Sequence, residues 1–178
     1  MKKTVIIIVL LICFCKDNEK SNFSSLEIDN NLLTSIESVI KNIDSEKTKM
    51  KKIKKNVVLE SGEGSELTFY INRETLSKIE IQHFGDSGKS TEEMFLSNNN
   101  LLMVKKTVSY YNGIINSKEQ ISVREKKIEK FFFQNRQLIA WVNADNKTIN
   151  ASKKEYEEEQ KYFLNSLDIY SKEINQNE

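Results

Sequence analysis

Few residues of this chain could carry chemistry. The 178 residues hold one histidine and two cysteines. Catalytic triads and zinc sites draw on histidine or cysteine with partners. A lone His83 therefore reads as a packed or edge residue. Glu92 and Glu93 could do acid–base work, but adjacent strand residues face opposite ways. They cannot act as a local pair, although acids joined across the fold stay open. Gly85-Asp86-Ser87-Gly88-Lys89-Ser90-Thr91 imitates the end of a phosphate-binding loop. The full pattern wants a glycine where His83 stands. It also wants a following helix whose N-terminus faces phosphate, and Glu92 to Ser97 reads as strand. The segment is read as a hairpin turn in which glycine supplies positive φ. No catalytic residue, metal site or cofactor follows from these residues.

The aromatic side chains are the best binding candidates. Tyr70, Tyr110, Tyr111 and Trp141, with Phe132, could line an open sheet face for sugars or a peptide. Core packing under helices is the competing reading. It is the simpler one for Trp141, which alternates with Ile139.

Both cysteines end an apolar run. Met1-Lys2-Lys3 precedes apolar residues from Thr4 to Phe14. A membrane-spanning helix needs roughly 20 apolar residues, and this shorter run has signal-peptide proportions. It closes on Ile12-Cys13-Phe14-Cys15, followed by polar Lys16-Asp17-Asn18-Glu19-Lys20. This resembles the lipobox of bacterial lipoproteins, whose cysteine is acylated and becomes the first mature residue. Phe14 stands where a small residue is usual, and Cys13 is an alternative site. Cys15-Lys16-Asp17 looks like the start of the surface-export signal of Bacteroidota lipoproteins. The resemblance implies lipid on Cys15 and an exported chain held in the cell envelope. The expected address is the outer membrane, periplasmic or surface-facing. Each buried acyl methylene contributes about 0.8 kcal/mol, and stable anchoring takes more than one chain. With no other cysteine, the mature chain has no disulfide.

Composition narrows the rest. Removing residues 1–14 takes two of the 27 basic side chains and leaves the 26 acidic ones untouched. Neither sign dominates, so there is no global case for nucleic acid. Proline is absent, which excludes collagen-like and Pro-rich classes. Asparagine supplies turns, because it tolerates the left-handed region. The expected plan is a signal peptide over 1–14, lipidated Cys15 with a polar tether over 15–25, and one α+β domain over 26–178.

Periodicity places the elements. Ile28, Leu32, Ile36, Val39, Ile40 and Ile43 form one helical stripe ending near Asp44. Lys47, Lys49, Lys51, Lys52, Lys54 and Lys55 read as a solvated connector; attraction to anionic headgroups is the alternative. The segment from Met94 to Val104 matches that from Phe131 to Trp141. Each reads as aromatic strand, Asn-bearing turn, aliphatic strand. Phe69 to Asn72 with Leu76 to Phe84 is a third version. Three hairpins in series predict an antiparallel meander of about six strands. Ile79 and Ile81 face one way, with Lys78, Glu80 and Gln82 facing the other. Leu102, Val104, Val108 and Tyr110 are expected to share a face. Phe131 to Phe133, apolar on both faces, predicts a central strand covered on both sides. Residues 113–124 form the longest loop. Ser152 to Glu155 is a capping box that opens a helix with Tyr156, Phe163, Leu164, Leu167 and Tyr170 on one stripe. Two helices can then cover one face of the sheet.

Residues 60–143 resemble small uncharacterised lipoproteins of Bacteroidota with repeated strand–Asn-turn–strand hairpins. Gly85-Asp86-Ser87-Gly88 is comparable to their Gly-Glu-x-Gly-like turn. The resemblance implies fold and location and brings no activity. The leading functional expectation is a non-enzymatic binding or accessory lipoprotein that contacts an envelope protein, a peptide or a glycan. A carboxylate-dependent hydrolase and an inhibitor or immunity-type protein, using the 113–124 loop, are the alternatives.

Overall fold

The computed structural model describes residues 29–57, 64–113 and 122–174. The apolar run, both cysteines, the tether, Ile28 and most of the 113–124 loop lie outside these residues. The fold is α+β. Helix α1 (Asn30–Glu46) comes first and helix α2 (Lys153–Glu173) last. Between them lie β1 (Lys51–Val57), β2 (Ser65–Asn72), β3 (Thr75–Gly85), β4 (Gly88–Ser97), β5 (Asn100–Tyr111), β6 (Val123–Gln134) and β7 (Gln137–Asn143). The sheet has seven strands in the order β1 to β7, each antiparallel to the next.

The meander is as expected, but it has one strand more than the hairpins predict. The extra strand is β1, which occupies the lysine run. Lys51 to Val57 pair with Ile71 to Ser65. Only Ile53, Lys55 and Val57 of this strand are half-buried. Lysines on an edge strand discourage pairing with other chains. The same lysines hide the strand from a hydrophobic-pattern reading.

The three hairpins share one construction. Loops of two residues close Asn72 to Thr75, Ser97 to Asn100 and Gln134 to Gln137. Arg73, Asn98, Asn99, Asn135 and Arg136 hold positive φ. One extra residue then enters the returning strand, at Ser77, Leu102 and Ile139. Such a bulge shifts the side-chain alternation by one. It overturns two expected pairings of faces. Leu102 packs on the opposite face to Val104, and Ile139 on the opposite face to Trp141.

The helices lie on opposite faces of the sheet, not together on one. Phe163, Leu167 and Tyr170 of α2 pack on Leu67, Phe69, Ile81, Met94, Phe131 and Phe133. Ile36 and Ile40 of α1 pack on Phe95, Met103, Phe132, Ala140 and Val142. The reason is in β6. Phe131, Phe132 and Phe133 are all at most 2% exposed, and consecutive strand residues bury both faces only when both are covered. The strand is covered on both sides as expected, yet it lies next to the edge strand β7, not at the centre.

Helix α2 crosses the strands. Tyr156 meets Trp141 of β7, and the Glu173 carbonyl accepts from Lys55 Nζ of β1. Its 21 residues give about 31 Å of helix, close to the roughly 29 Å width of seven strands. The capping box is formed: Ser152 Oγ accepts from Glu155 N at 3.3 Å, and Ser152 N donates to Glu155 Oε2 at 2.7 Å.

Candidate functional site

The long strands outrun the helices. β5 and β6 have 12 residues each, or about 40 Å, against a helix about 10 Å across. The helices pack near the Asn-bearing hairpins, where Phe95, Met103, Phe131 and Phe133 lie. The other end of the sheet carries the Gly85–Gly88 hairpin and the β5–β6 connection. There Phe84 is 45% exposed and Val123 53% exposed. Half-buried Tyr111 shares their face of the sheet, and half-buried Tyr110, the residue before it in β5, faces the other side. Tyr111 N donates to Ser87 O at 2.9 Å, tying β5 to the β3–β4 turn. Lys127 Nζ lies 5.8 Å from the Tyr110 ring centre. The base of the β5–β6 connection is closed by Asn112, whose N donates to Ser122 O and whose Oδ1 accepts from Ser122 N.

Gly88 sets this end. It pairs with Gly85 and with Tyr110. Its φ is not positive; a Cβ there would collide with the Ser109 carbonyl oxygen. The hairpin expected at Gly85–Gly88 is present, but the glycine serves close approach of β5, not a left-handed backbone. A strand follows it, as the rejection of a phosphate loop requires.

The four candidate aromatics are divided. Tyr110 and Tyr111 both lie at the end of the sheet that carries Gly85–Gly88, but as consecutive residues of β5 they face opposite sides and do not share the expected surface. Tyr70 is 8% exposed on the α1 face, and its hydroxyl donates to Glu80 Oε2 at 3.3 Å. Trp141 packs on the α2 face, with ring centres 5.0 Å from Phe131 and 5.9 Å from Tyr156. Phe132 is buried under α1. Tyr70 and Trp141 therefore cannot share a surface with each other.

Both faces hide charge that hydrophobic patterning misses. Under α1, Lys78 is 0% exposed. Its Nζ donates to Asp44 Oδ1 at 2.8 Å and Glu93 Oε1 at 2.5 Å, and lies 4.6 Å from the Phe95 ring centre. Lys105 Nζ holds Glu93 Oε2 at 2.8 Å. Burial alone would push the Lys78 ammonium down, but the hydrogen bonds it donates to Asp44 and Glu93 hold it above the usual lysine range. Burial likewise opposes the Glu93 charge, yet Lys105 and Lys78 keep that carboxyl below its ordinary value. The sequence signal is faint: one lysine on a strand, with an acid on the neighbouring strand.

Under α2, Glu92 is 1% exposed. Its Oε1 accepts from Tyr162 Oη at 3.1 Å, and its Oε2 has no hydrogen-bond partner among the described residues. Burial pushes this carboxyl up, against the pull of Lys106. Glu159, on α2, is also pushed up by burial and also has an Oε2 without a hydrogen-bond partner. Glu92 and Glu93 thus face opposite helices, as alternation requires.

His83 is half-buried, with Nδ1 2.9 Å from Ser65 Oγ. Burial, helped by Lys106, pushes its pKa down, which suits a packed imidazole. Among the described residues no three His, Cys, Asp or Glu side chains are grouped to hold a metal ion. No helix among them is long and apolar enough to cross a membrane. A 240 Å³ cleft lies between Asn56, Val57, Gly64, Ser65 and Phe84.

Compared with known protein families, curated proteins and solved structures, the chain matches none.

Proposed function

We propose that this chain is a lipid-anchored envelope protein acting as a non-enzymatic binding module. The binding surface is the end of the sheet that carries the Gly85–Gly88 hairpin, beyond the packing of α1 and α2 among the described residues. One observation carries the reading: exposed Phe84 and Val123 share a face of the sheet with half-buried Tyr111 there, while Tyr110 faces the other side. Aromatic rings with polar tips suit sugars and peptides alike, and exposed apolar patches mark contact surfaces. The partner class is an envelope protein, a peptide or a glycan.

The N-terminal residues support the anchor. An apolar run that ends at Cys15 before a polar stretch fits lipidation, and two or more acyl chains give stable attachment. The likeness of the hairpin region to small Bacteroidota lipoproteins points to the same address. The buried acids favour binding over hydrolysis, because Glu92 lies sealed beneath α2 where substrate has no access.

Affinity capture from envelope extract with residues 20–178 tests the binding reading, with Tyr111→Ala as the matched control. A captured molecule that the variant loses supports it, and equal capture by both defeats it. Labelling with a palmitate analogue tests the anchor. Label retained after Cys15→Ala would contradict it.

A further inference from the structure

We propose that the seat of α2 on the sheet is a proton-controlled latch: with Glu92 protonated the helix closes over it, and loss of that proton loosens the helix. A row of paired residues runs across the sheet. Ile81, Glu92, Lys106 and Glu129 are successive cross-strand partners on β3, β4, β5 and β6. Directly paired residues share a face, and Met94 and Val104, two residues along from Glu92 and Lys106, lie beneath α2. The row therefore faces that helix. From above, α2 presents Tyr162, Ser166, Tyr170 and Glu159. Next to the row on β3 lies His83, which Lys106 also influences.

The charges in this layer do not close. Among the described residues Glu92 receives one hydrogen bond, from Tyr162, on Oε1. Lys106 is, among the described residues, its one cationic partner by register, and that ammonium also lies 5.8 Å from the Tyr162 ring centre. Glu159 and Glu129 crowd the same cation. A buried carboxylate needs several donors or a close cation to stay ionised. A buried acid with an oxygen lacking any donor meets neither condition and is better neutral. Burial also raises both Glu92 and Glu159.

The sign follows. Native Glu92 lies above its ordinary value of 4.5, so the docked state holds its proton more tightly than an exposed carboxyl would. Docking of α2 is complete below that ordinary value. It weakens as pH rises toward the native value, and the ionised carboxylate then demands water that only a lifted helix admits.

Trp141 is the chain's single tryptophan and packs against Tyr156 near the start of α2. Its fluorescence reports the seating of α2 in the full chain without a label. As pH rises above the ordinary glutamate value of 4.5, its emission should move to longer wavelength. Hydrogen exchange, corrected for its intrinsic pH dependence, should rise in α2 and hold in α1. Glu92→Gln should remove most of both changes, leaving only what Glu159 contributes; Glu93→Gln, on the other face, should leave them. Partly exposed positions supply variants that do not depend on Glu92→Gln folding. Lys106→Met removes the cation that favours ionisation and should move the change to higher pH. Glu159→Gln removes a competing negative charge and should move it to lower pH. A pH-independent α2, an unchanged response in Glu92→Gln, or shifts that fail to oppose each other would overturn the latch.

Discussion

Glu92 and Glu93 are adjacent in the chain and belong to different layers of the molecule. Glu92 lies beneath α2 with one donor, from Tyr162. Glu93 lies beneath α1 clamped between Lys78 and Lys105. One carboxyl is pushed above its ordinary value and the other held below it. The cause is the set of partners each face supplies, since both are largely withdrawn from water.

The Lys78–Glu93 contact should be costly to half-remove. Glu93→Gln leaves the wholly buried Lys78 ammonium with Asp44 as its remaining anion and should cost about 3 kcal/mol, as breaking a buried pair does. Lys78→Met keeps the volume, and Glu93 keeps Lys105; about 1 kcal/mol is expected. The double variant should be more stable than Glu93→Gln alone. Urea midpoints decide it, and additive losses would refute the coupling.

Acid should act through Glu93. Its native pKa lies below the ordinary 4.5. A carboxyl depressed in the folded state stabilises above its unfolded value, and that contribution is lost as pH falls through the native one. Stability measured by urea from about pH 6 downward should fall more gently in Glu93→Gln than in the wild type. Parallel curves would remove Glu93 from the acid response.

Gly88→Ala should disturb the open end of the sheet. Its Cβ would meet the Ser109 carbonyl, a backbone atom that cannot turn aside. Overpacking of this kind costs about 2 kcal/mol. The loss should appear with reduced exchange protection near Gly88, Ser109 and Tyr110, while the hairpin at Asn98–Asn99 keeps its protection. Wild-type melting of this variant would show that β5 can retreat.

Much of the fold is legible in the sequence. The Met94–Val104 and Phe131–Trp141 repeat, the meander, both helices and the capping box all follow from spacing and turn chemistry. Three things do not. Strand β1 is hidden because an edge strand rich in lysine lacks an apolar period. The opposite placement of the helices depends on which face each stripe meets, and a stripe alone does not carry that. The bulges at Leu102 and Ile139 add one residue and reverse the faces that strict alternation assigns. Buried Lys78 and Glu92 are illegible for a related reason: a charge in a strand reads as solvated until both faces are known to be covered. Of the aromatic candidates, Tyr110 and Tyr111 stay half-buried at the far end of β5 on opposite faces, while Tyr70 and Trp141 are taken up in packing.

The most direct test of the binding proposal compares captured material on wild type and on a Phe84→Ser, Tyr111→Ala double variant. Both chains would be matched for urea midpoint and applied to the same envelope extract. Phe84 and Tyr111 lie outside both buried clusters, so the fold should survive. The expected result is a specific molecule retained by the wild type and lost from the variant, with Trp141→Phe retaining it. Retention by the double variant at the wild-type level would contradict the account.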